Sequence, residues 1–178
     1  MRLPPVDRDS LTPEDQAAWD RVGAERIARQ GPYSALAHVP KMAERVAALE
    51  EYFRSAAALP APDRELVILA TAREMGAHYP WTRHEIRARQ VGMRTEALET
   101  VRANGSLEKL APRERLLVEI ARSLLRNRGL SEELFSRGLA ELGRQQLVEA
   151  VALAGHYSLI GMVVNAFDVR PPENTPTF

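Results

Sequence analysis

Residues 62–92, PDRELVILATAREMGAHYPWTRHEIRARQVG, carry the strongest helix signals of the chain. This stretch opens with the proline and the acidic residue that are typical of the first turn of a helix. Gly76 predicts the end of that helix, and Gly92 predicts the end of a second helix from about Tyr79 to Val91. Apolar side chains recur at helical spacing in the first helix, at Leu66, Ile68, Leu69, Ala72 and Met75. The stretch therefore predicts a helical hairpin.

Helix start signals recur on both sides of this hairpin, and strand signals do not. Further helices are predicted at about 12–30, from 40 through 53, at 95–104, from 112, from 131, and over the apolar run 150–167, with a short turn at 34–38. The tail from Arg170 to Phe178 is too rich in proline for regular structure and is expected to lie along the surface or a neighbour.

The chain is therefore predicted to be all-α, with about eight helices in one domain over residues 1–178. Its parts are N-terminal helices at about 12–58, a core hairpin at about 62–92, and C-terminal helices at about 112–168. A chain of 178 residues is long enough to bury a sizeable core.

Composition excludes several classes of function. There is no cysteine, which removes disulfides, thiolate nucleophiles and zinc–sulfur sites. The 24 basic and 24 acidic side chains give zero formal net charge, so there is no basic surplus to favour nucleic-acid binding. Two copies of the chain would also repel each other little, which is compatible with self-association. The N-terminus lacks the apolar run of a signal peptide, and we expect a cytoplasmic protein.

The run from Ala150 to Phe167 carries no charged side chain and approaches the roughly 18 residues that span a membrane. It contains polar residues such as His156 and Asn165, and no Lys/Arg cluster flanks it. We therefore expect a buried core helix or a subunit-interface helix, and no membrane partner.

The segment from Glu74 to His84 is the best candidate for chemistry, because histidine moves protons near neutral pH. On a helix, His84 falls on the same stripe as Trp81 and other apolar residues. Two interpretations are open: a core histidine satisfied by one partner, or a histidine facing a pocket with Glu74 as its charged partner across the hairpin. Tyr79 would then supply a hydroxyl donor and Trp81 an apolar wall, although core packing would also account for both.

A family resemblance bears on this choice. Segments over residues 34–92, above all Ala72-Arg-Glu74 and Tyr79-Pro-Trp81-x-x-His84, resemble the carboxymuconolactone decarboxylase family, which is related to alkylhydroperoxidase D. The His156-Tyr157 pair looks like that of the family's longer members. The resemblance implies an alkylhydroperoxidase D-like helical bundle with a pocket. It also implies a homo-oligomer (dimer, trimer or hexamer), which we expect to bury the last helix and parts of the hairpin from Pro62 to Val91.

Peroxidatic members of that family carry a glutamate, Cys-x-x-Cys, and a histidine four residues after the second cysteine. Counting back from His84 puts those cysteines at Ala77 and Pro80, so a thiol peroxidase is disfavoured. The decarboxylase branch needs no cofactor, and it implies His84 as acid/base, Glu74 as its orienting group and Tyr79 as a donor.

Around these three catalytic candidates, we expect the substrate pocket to be lined by Trp81, His78 and His156. No metal is expected, because His78 and His84 are six residues apart and shared ligation on a helix favours a spacing of four. The leading hypothesis is a cofactor-independent decarboxylase or lyase for a small oxygenated acid or lactone. The alternative is a non-catalytic oligomer, ligand-binding or structural, that keeps the family pocket.

Overall fold

A computed structural model describes residues 1–28 and 31–178, and every regular element in them is helical. A short 3₁₀ turn covers Arg8–Ser10. The helices are α1 (Pro13–Val22), α2 (Ala24–Ala28), α3 (Pro32–Leu36), α4 (Pro40–Ser55), α5 (Ala61–Glu74), α6 (His78–Gln90), α7 (Thr95–Ala103), α8 (Pro112–Asn127) and α9 (Glu132–Ala166). The predicted all-α class is confirmed.

Proline and glycine set most of the helix boundaries. Proline occupies the first turn of α1, α3, α4, α5 and α8, where its missing N–H has no intrahelical acceptor to lose. Gly76 (φ 61°) and Gly92 (φ 78°) follow α5 and α6 in the left-handed region that glycine adopts without strain. The predicted hairpin of residues 62–92 is therefore the pair α5–α6.

Glycine also explains where the predicted helices differ from the structure. Gly23, with φ 92°, divides the helix predicted at 12–30 into α1 and α2, and its predicted end at Gln30 lies outside the described residues. Most of the turn predicted at 34–38 belongs to α3. The last two predicted helices form α9, whose halves meet at Gly143 with φ 70° and ψ 172°.

The helix α5 lies at the centre of the bundle and packs against α6, α8 and α9. Seven consecutive residues, 66–72, are buried in it, which is why this stretch lacks a polar face. The inner face of α9 closes the core with Leu153, Ala154, Tyr157 and Ile160. The N-terminal half of α5 therefore lies next to the inner faces of both α6 and α9.

Within the described residues, α9 is the one helix that is long and apolar enough to cross a membrane, with a mean hydropathy of 1.7 over its most apolar window. Of that window, 56% is buried inside this chain. The helix is thus mostly a core helix.

Candidate active site

His84 lies between two partners that come from different helices. Its Nδ1 is 2.6 Å from Oε2 of Glu65 in the first turns of α5, and its Nε2 is 2.8 Å from the hydroxyl of Tyr157 in α9. The imidazole is only 5% exposed. These three side chains form a continuous carboxylate–imidazole–phenol chain, called here the relay.

The chemistry of the partners assigns the protons in the relay. Burial raises the pKa of the Tyr157 phenol well above its ordinary value, so the phenol keeps its proton and donates it to Nε2 of His84. The other ring nitrogen, Nδ1, then carries the imidazole proton and donates it to the Glu65 carboxylate. This arrangement holds one tautomer of His84 and leaves it ready to accept a proton through Tyr157.

The predicted contact between Glu74 and His84 is wrong. Glu74, at the last turn of α5, binds both Nε and a terminal nitrogen of Arg126, and Arg122 lies 3.6 Å away. Burial raises the pKa of Glu74, but the hydrogen bond and charge of Arg126 outweigh it, and the pKa lies below its ordinary value. Glu74 is thus an ionised carboxylate held in a separate arginine cluster.

The geometry of an antiparallel hairpin explains this difference. Residues equally far from the turn lie opposite each other, and Glu74 is two residues before Gly76 whereas His84 is eight residues after it. Glu65, eleven residues before Gly76, is the acidic side chain on α5 that can reach His84. The number of residues from the turn is therefore the sequence feature that would have identified Glu65 as the partner of His84.

A second carboxylate lies close to the relay. Oε2 of Glu50 in α4 accepts a hydrogen bond from the Tyr33 hydroxyl at 2.7 Å, and Oε1 accepts one from Arg54 at 2.7 Å. Burial raises the pKa of Glu50, but the Tyr33 hydrogen bond and the charges of Arg26 and Arg54 outweigh it and lower the pKa. Burial and the neighbouring Glu50 charge raise the pKa of Tyr33, which stays protonated.

Two small cavities adjoin the relay and share its inner members. The Tyr79 chamber, of about 110 Å³, is also lined by Tyr33, Tyr79, Pro80, Arg83 and His156. The Phe53 chamber, of about 270 Å³, is also lined by Phe53, Arg64, Glu65, Ile68 and Leu153. Glu50, Arg54, His84, Arg87 and Tyr157 line both. Larger cavities elsewhere, of about 680 and 910 Å³, include no member of the relay.

The Tyr79 chamber has a surplus of positive charge. Four arginines line it, namely Arg26, Arg54, Arg83 and Arg87, against one carboxylate, Glu50. Within the part of the chain that the structure describes, Arg83 and Arg87 form no ion pair. They are one turn apart on α6, so both guanidinium groups can turn toward one anion. The chamber is therefore suited to a ligand that carries a carboxylate.

His156 adds an unpaired nitrogen to the same chamber. It is 5% exposed, and its Nε2 has no hydrogen-bond partner among the described residues. Burial lowers the pKa of His156; the charge of Glu50 opposes this effect and the neighbouring His84 adds to it, so the ring is neutral near pH 7. Buried polar atoms in proteins nearly always have a partner, and a polar ligand atom in the chamber would provide one.

The structure places the other predicted site residues in different surroundings. Tyr79 is buried and lines the chamber, and its ring packs against Gly31, where an added Cβ would be 2.6 Å from the Tyr79 hydroxyl oxygen. Trp81 is fully buried and donates its indole N–H to Glu85 at 3.0 Å. His78 stacks on Phe178 at 4.3 Å. Trp81 and His78 lie outside both chambers, so the expectation that they line the pocket is wrong.

The two positions at which peroxidatic members of the family carry cysteine hold apolar residues in this chain. Ala77 is fully buried just before α6, and Pro80 forms part of the wall of the Tyr79 chamber. Among the described residues, no group of three or more His, Asp or Glu side chains is close enough to hold a metal ion.

Comparisons with known proteins agree with this architecture. The model of the carboxymuconolactone decarboxylase family matches residues 40–123. A crystal structure from Ralstonia eutropha JMP134, described as an alkylhydroperoxidase AhpD core and an uncharacterized peroxidase-related protein, superimposes with a TM-score of 0.75. It is 19% identical in sequence, and the match covers 97% of this chain and 92% of that one. No protein of curated function matches the chain.

Proposed function

We propose that the protein is a cofactor-independent acid–base enzyme. Its reaction would be that of a decarboxylase or lyase on a small oxygenated acid or lactone. The support is that residues 40–123 match the model of the carboxymuconolactone decarboxylase family and that the chain has an alkylhydroperoxidase D-like fold. The observation that carries this proposal is the relay of Glu65, His84 and Tyr157 beside a chamber lined by arginines. Since a chain without cysteine needs no oxidising compartment, we place it in the cytoplasm.

The relay would move one proton in two steps. As the Tyr157 oxygen takes a proton from the substrate, its own proton passes to Nε2 of His84, and the resulting imidazolium is stabilised by the Glu65 carboxylate. The reverse transfer returns a proton to the carbanion or enolate that remains when carbon dioxide or another group leaves. No electron donor or acceptor is needed.

The chamber sets the class of substrate. Arg83 and Arg87 would bind a carboxylate through their planar guanidinium groups. The neutral imidazole of His156 would bind a hydroxyl or carbonyl oxygen at the other side, according to which ring nitrogen holds the proton. Because both chambers are below the roughly 300–1,000 Å³ of sites for drug-sized ligands, only a small molecule fits.

The test compares two carboxylates on the same helix. Tyr157→Phe and Glu65→Gln should each lower kcat by about 100-fold, because positioned acid–base groups contribute about 10²–10⁴ in rate. Glu74→Gln is the matched control and should keep turnover, since Glu74 binds Arg126 away from the relay. The assay measures carbon dioxide release or lactone loss over a panel of small lactones and keto acids, with circular dichroism to verify folding.

The outcomes separate the proposal from its alternative. Turnover of Tyr157→Phe and Glu65→Gln at the wild-type rate would exclude the relay as the catalytic device. A ligand-binding protein is the second candidate, favoured by the apolar residues at the thiol positions Ala77 and Pro80. A ligand-binding protein would form no product. A small carboxylic acid would raise the Tm of the wild type but not that of Arg87→Gln.

A further inference from the structure

A cavity of about 680 Å³ lies between the C-terminal half of α8 and the first turn of α9. It is called here the α8–α9 cavity, and it shares no lining residue with the two chambers beside the relay. Its wall combines the apolar side chains of Leu107, Leu130 and Leu134 with polar and charged side chains from both helices. This size and this mixed lining are typical of a site for a small ligand.

Arg122, in the wall of the α8–α9 cavity, has a buried guanidinium group with an unused donor. The residue is 9% exposed, and its Nη1 donates to the carbonyl of Gly105 at 2.9 Å. Its Nη2 is buried and has no hydrogen-bond partner among the described residues. The guanidinium group stays charged at neutral pH. Because buried charged groups are nearly always hydrogen-bonded, this nitrogen indicates an acceptor that a ligand supplies.

The carboxylate beside Arg122 is already engaged by another arginine. Nε of Arg122 is 3.6 Å from Glu74, but both oxygens of Glu74 accept hydrogen bonds from Arg126. Burial and the charges of Arg126 and Arg73 lower the pKa of Arg122, whereas the charge of Glu74 raises it. The environment of Arg122 therefore has more positive than negative charge, and an anion in the cavity would reduce this repulsion.

Arg126 adds a second guanidinium group to the same wall. It follows Arg122 by one turn of α8 and lines the same cavity. Its Nε and Nη2 bind Glu74, while its Nη1 binds no described residue. Two guanidinium groups one helical turn apart can bind a single anion through several charge-assisted hydrogen bonds.

The start of α9 provides further donors at the edge of the cavity. Ser131 lines the cavity, and its hydroxyl oxygen caps α9 by accepting the backbone N–H of Leu134 at 3.2 Å. Its hydroxyl proton can then be donated to a ligand. The first backbone N–H groups of a helix have no intrahelical acceptor and carry partial positive charge. Phosphate groups commonly bind at such helix starts.

Two carboxylates also line the cavity, and they leave its surplus of positive charge in place. Glu119 binds Arg137 at 2.8 Å, so these two charges neutralise each other. Glu133 is exposed in the first turn of α9. Three arginines line the cavity against these two carboxylates. The charge of the lining therefore favours an anion over a cation.

We propose that the α8–α9 cavity is a second ligand site, which binds the phosphate group of a small phosphate monoester through Arg122 and Arg126. A phosphate monoester has three terminal oxygens and nearly two negative charges, enough for both guanidinium groups and the start of α9. A carboxylate has two oxygens and one charge, so it would satisfy fewer of these donors. The cavity is larger than a phosphate group, and its leucine side chains would contact the organic part of the ligand.

Isothermal titration calorimetry at constant ionic strength tests the site, with inorganic phosphate, phenyl phosphate and acetate as probes. The wild type should bind phosphate with a Kd near or below about 1 mM, since a few charge-assisted hydrogen bonds suffice for that affinity. Phenyl phosphate should bind more tightly, because its ring can contact the leucine side chains, and acetate should bind about 10-fold more weakly than phosphate. Equal affinity for acetate and phosphate would overturn the assignment to phosphate, as would no binding of phosphate.

Arginine variants locate the bound phosphate. Arg126→Gln should weaken phosphate binding by about 10-fold, because it removes a charged donor. Arg128→Gln is the matched control and should keep the affinity, since Arg128 is exposed just after α8 and does not line the cavity. Arg122→Met should abolish binding, and if this variant fails to fold, Arg126→Gln still tests the site because its side chain is exposed.

A further variant keeps this site distinct from the relay. Arg87→Gln alters the Tyr79 chamber and should leave phosphate binding unchanged. Loss of phosphate binding in Arg87→Gln, with normal binding in Arg126→Gln, would place the phosphate beside the relay and overturn the proposal. Equal phosphate affinity in the wild type, Arg126→Gln and a folded Arg122→Met would also overturn it. Because none of these measurements uses turnover, their result does not depend on the proposed enzymatic function.

Discussion

At the residue scale, His156 combines burial with an unpaired ring nitrogen, and this makes the stability of the protein depend on pH. Burial lowers its pKa below the ordinary 6.5, so as the pH falls through 6.5 the unfolded chain takes up a proton at this position and the folded chain does not. The folded state therefore loses stability as pH falls, until the pH drops below the lowered pKa. Above pH 6.5 this contribution is constant.

His156→Phe should remove this dependence. Between pH 6.5 and the lowered pKa, the free energy of unfolding of the wild type should fall more steeply than that of the variant, by up to about 1.4 kcal/mol per pH unit. Urea unfolding at pH 7.5, 6.5 and 5.5 measures the difference. The titratable side chains that face His156 are those of Glu50 and His84, and Phe53 and Tyr157 pack on its ring. Parallel curves for the two proteins would show that His156 titrates normally.

The relay shows what a single sequence can predict at this scale. His84 was identified because it is a polar residue on an apolar helical stripe, and that pattern is visible in one helix. Its partners Glu65 and Tyr157 lie 19 and 73 residues away along the chain. Distance from the hairpin turn selects Glu65, but Tyr157 depends on how α9 packs on α5 and α6, which no local pattern specifies.

At the scale of elements, the helix boundaries were the most predictable part of the fold. Proline at helix starts and glycine at Gly76 and Gly92 act through backbone geometry alone, so their effect needs no knowledge of tertiary contacts. The boundaries that were predicted less well, at Gly23 and Gly143, also involve glycine. At these two glycines another helical segment begins directly after the break. The sequence therefore shows no loop that would mark the end of the first segment.

The kink of α9 at Gly143 leads to a prediction about stability. With φ 70° and ψ 172°, Gly143 occupies a region that is essentially restricted to glycine, so Gly143→Ala should cost about 2 kcal/mol. Gly105→Ala is the control, because a Cβ at Gly105 meets nothing within 4 Å and its φ is not positive. Urea unfolding of both variants measures the effect. Equal stability of the two would mean that α9 can straighten through position 143.

At the scale of the whole molecule, the C-terminal tail ties distant helices together. The Phe178 ring stacks on His78 at 4.3 Å and meets the edge of Trp81 at 5.1 Å, and the Arg73 guanidinium lies 4.5 Å above it. The Thr82 hydroxyl donates to the carbonyl of Pro176 at 2.9 Å. The expectation that the tail follows the surface understates its role, because Phe178 covers the indole of Trp81.

Phe178→Ala should therefore destabilise the protein by about 2 kcal/mol, through lost apolar burial and ring contacts, and should let water reach Trp81. Tryptophan emission should shift to longer wavelength, with the other tryptophan, Trp19, unaffected. Thr177→Ala is the matched control, because Arg102 binds the backbone oxygen of Thr177 and not its side chain. Identical emission spectra for Phe178→Ala and the wild type would show that the tail does not shield Trp81.

The contact between Gly31 and the Tyr79 ring has a consequence for the dimensions of the site. A methyl group at position 31 would occupy the space of the Tyr79 hydroxyl, so the ring would have to swing toward the relay or toward the cavity near the chain termini that it also borders. The first movement would narrow the Tyr79 chamber, and the second would widen it. Because Gly31 has no side chain, the Tyr79 ring can keep its present position, and that position limits the size of a molecule that can lie beside His84.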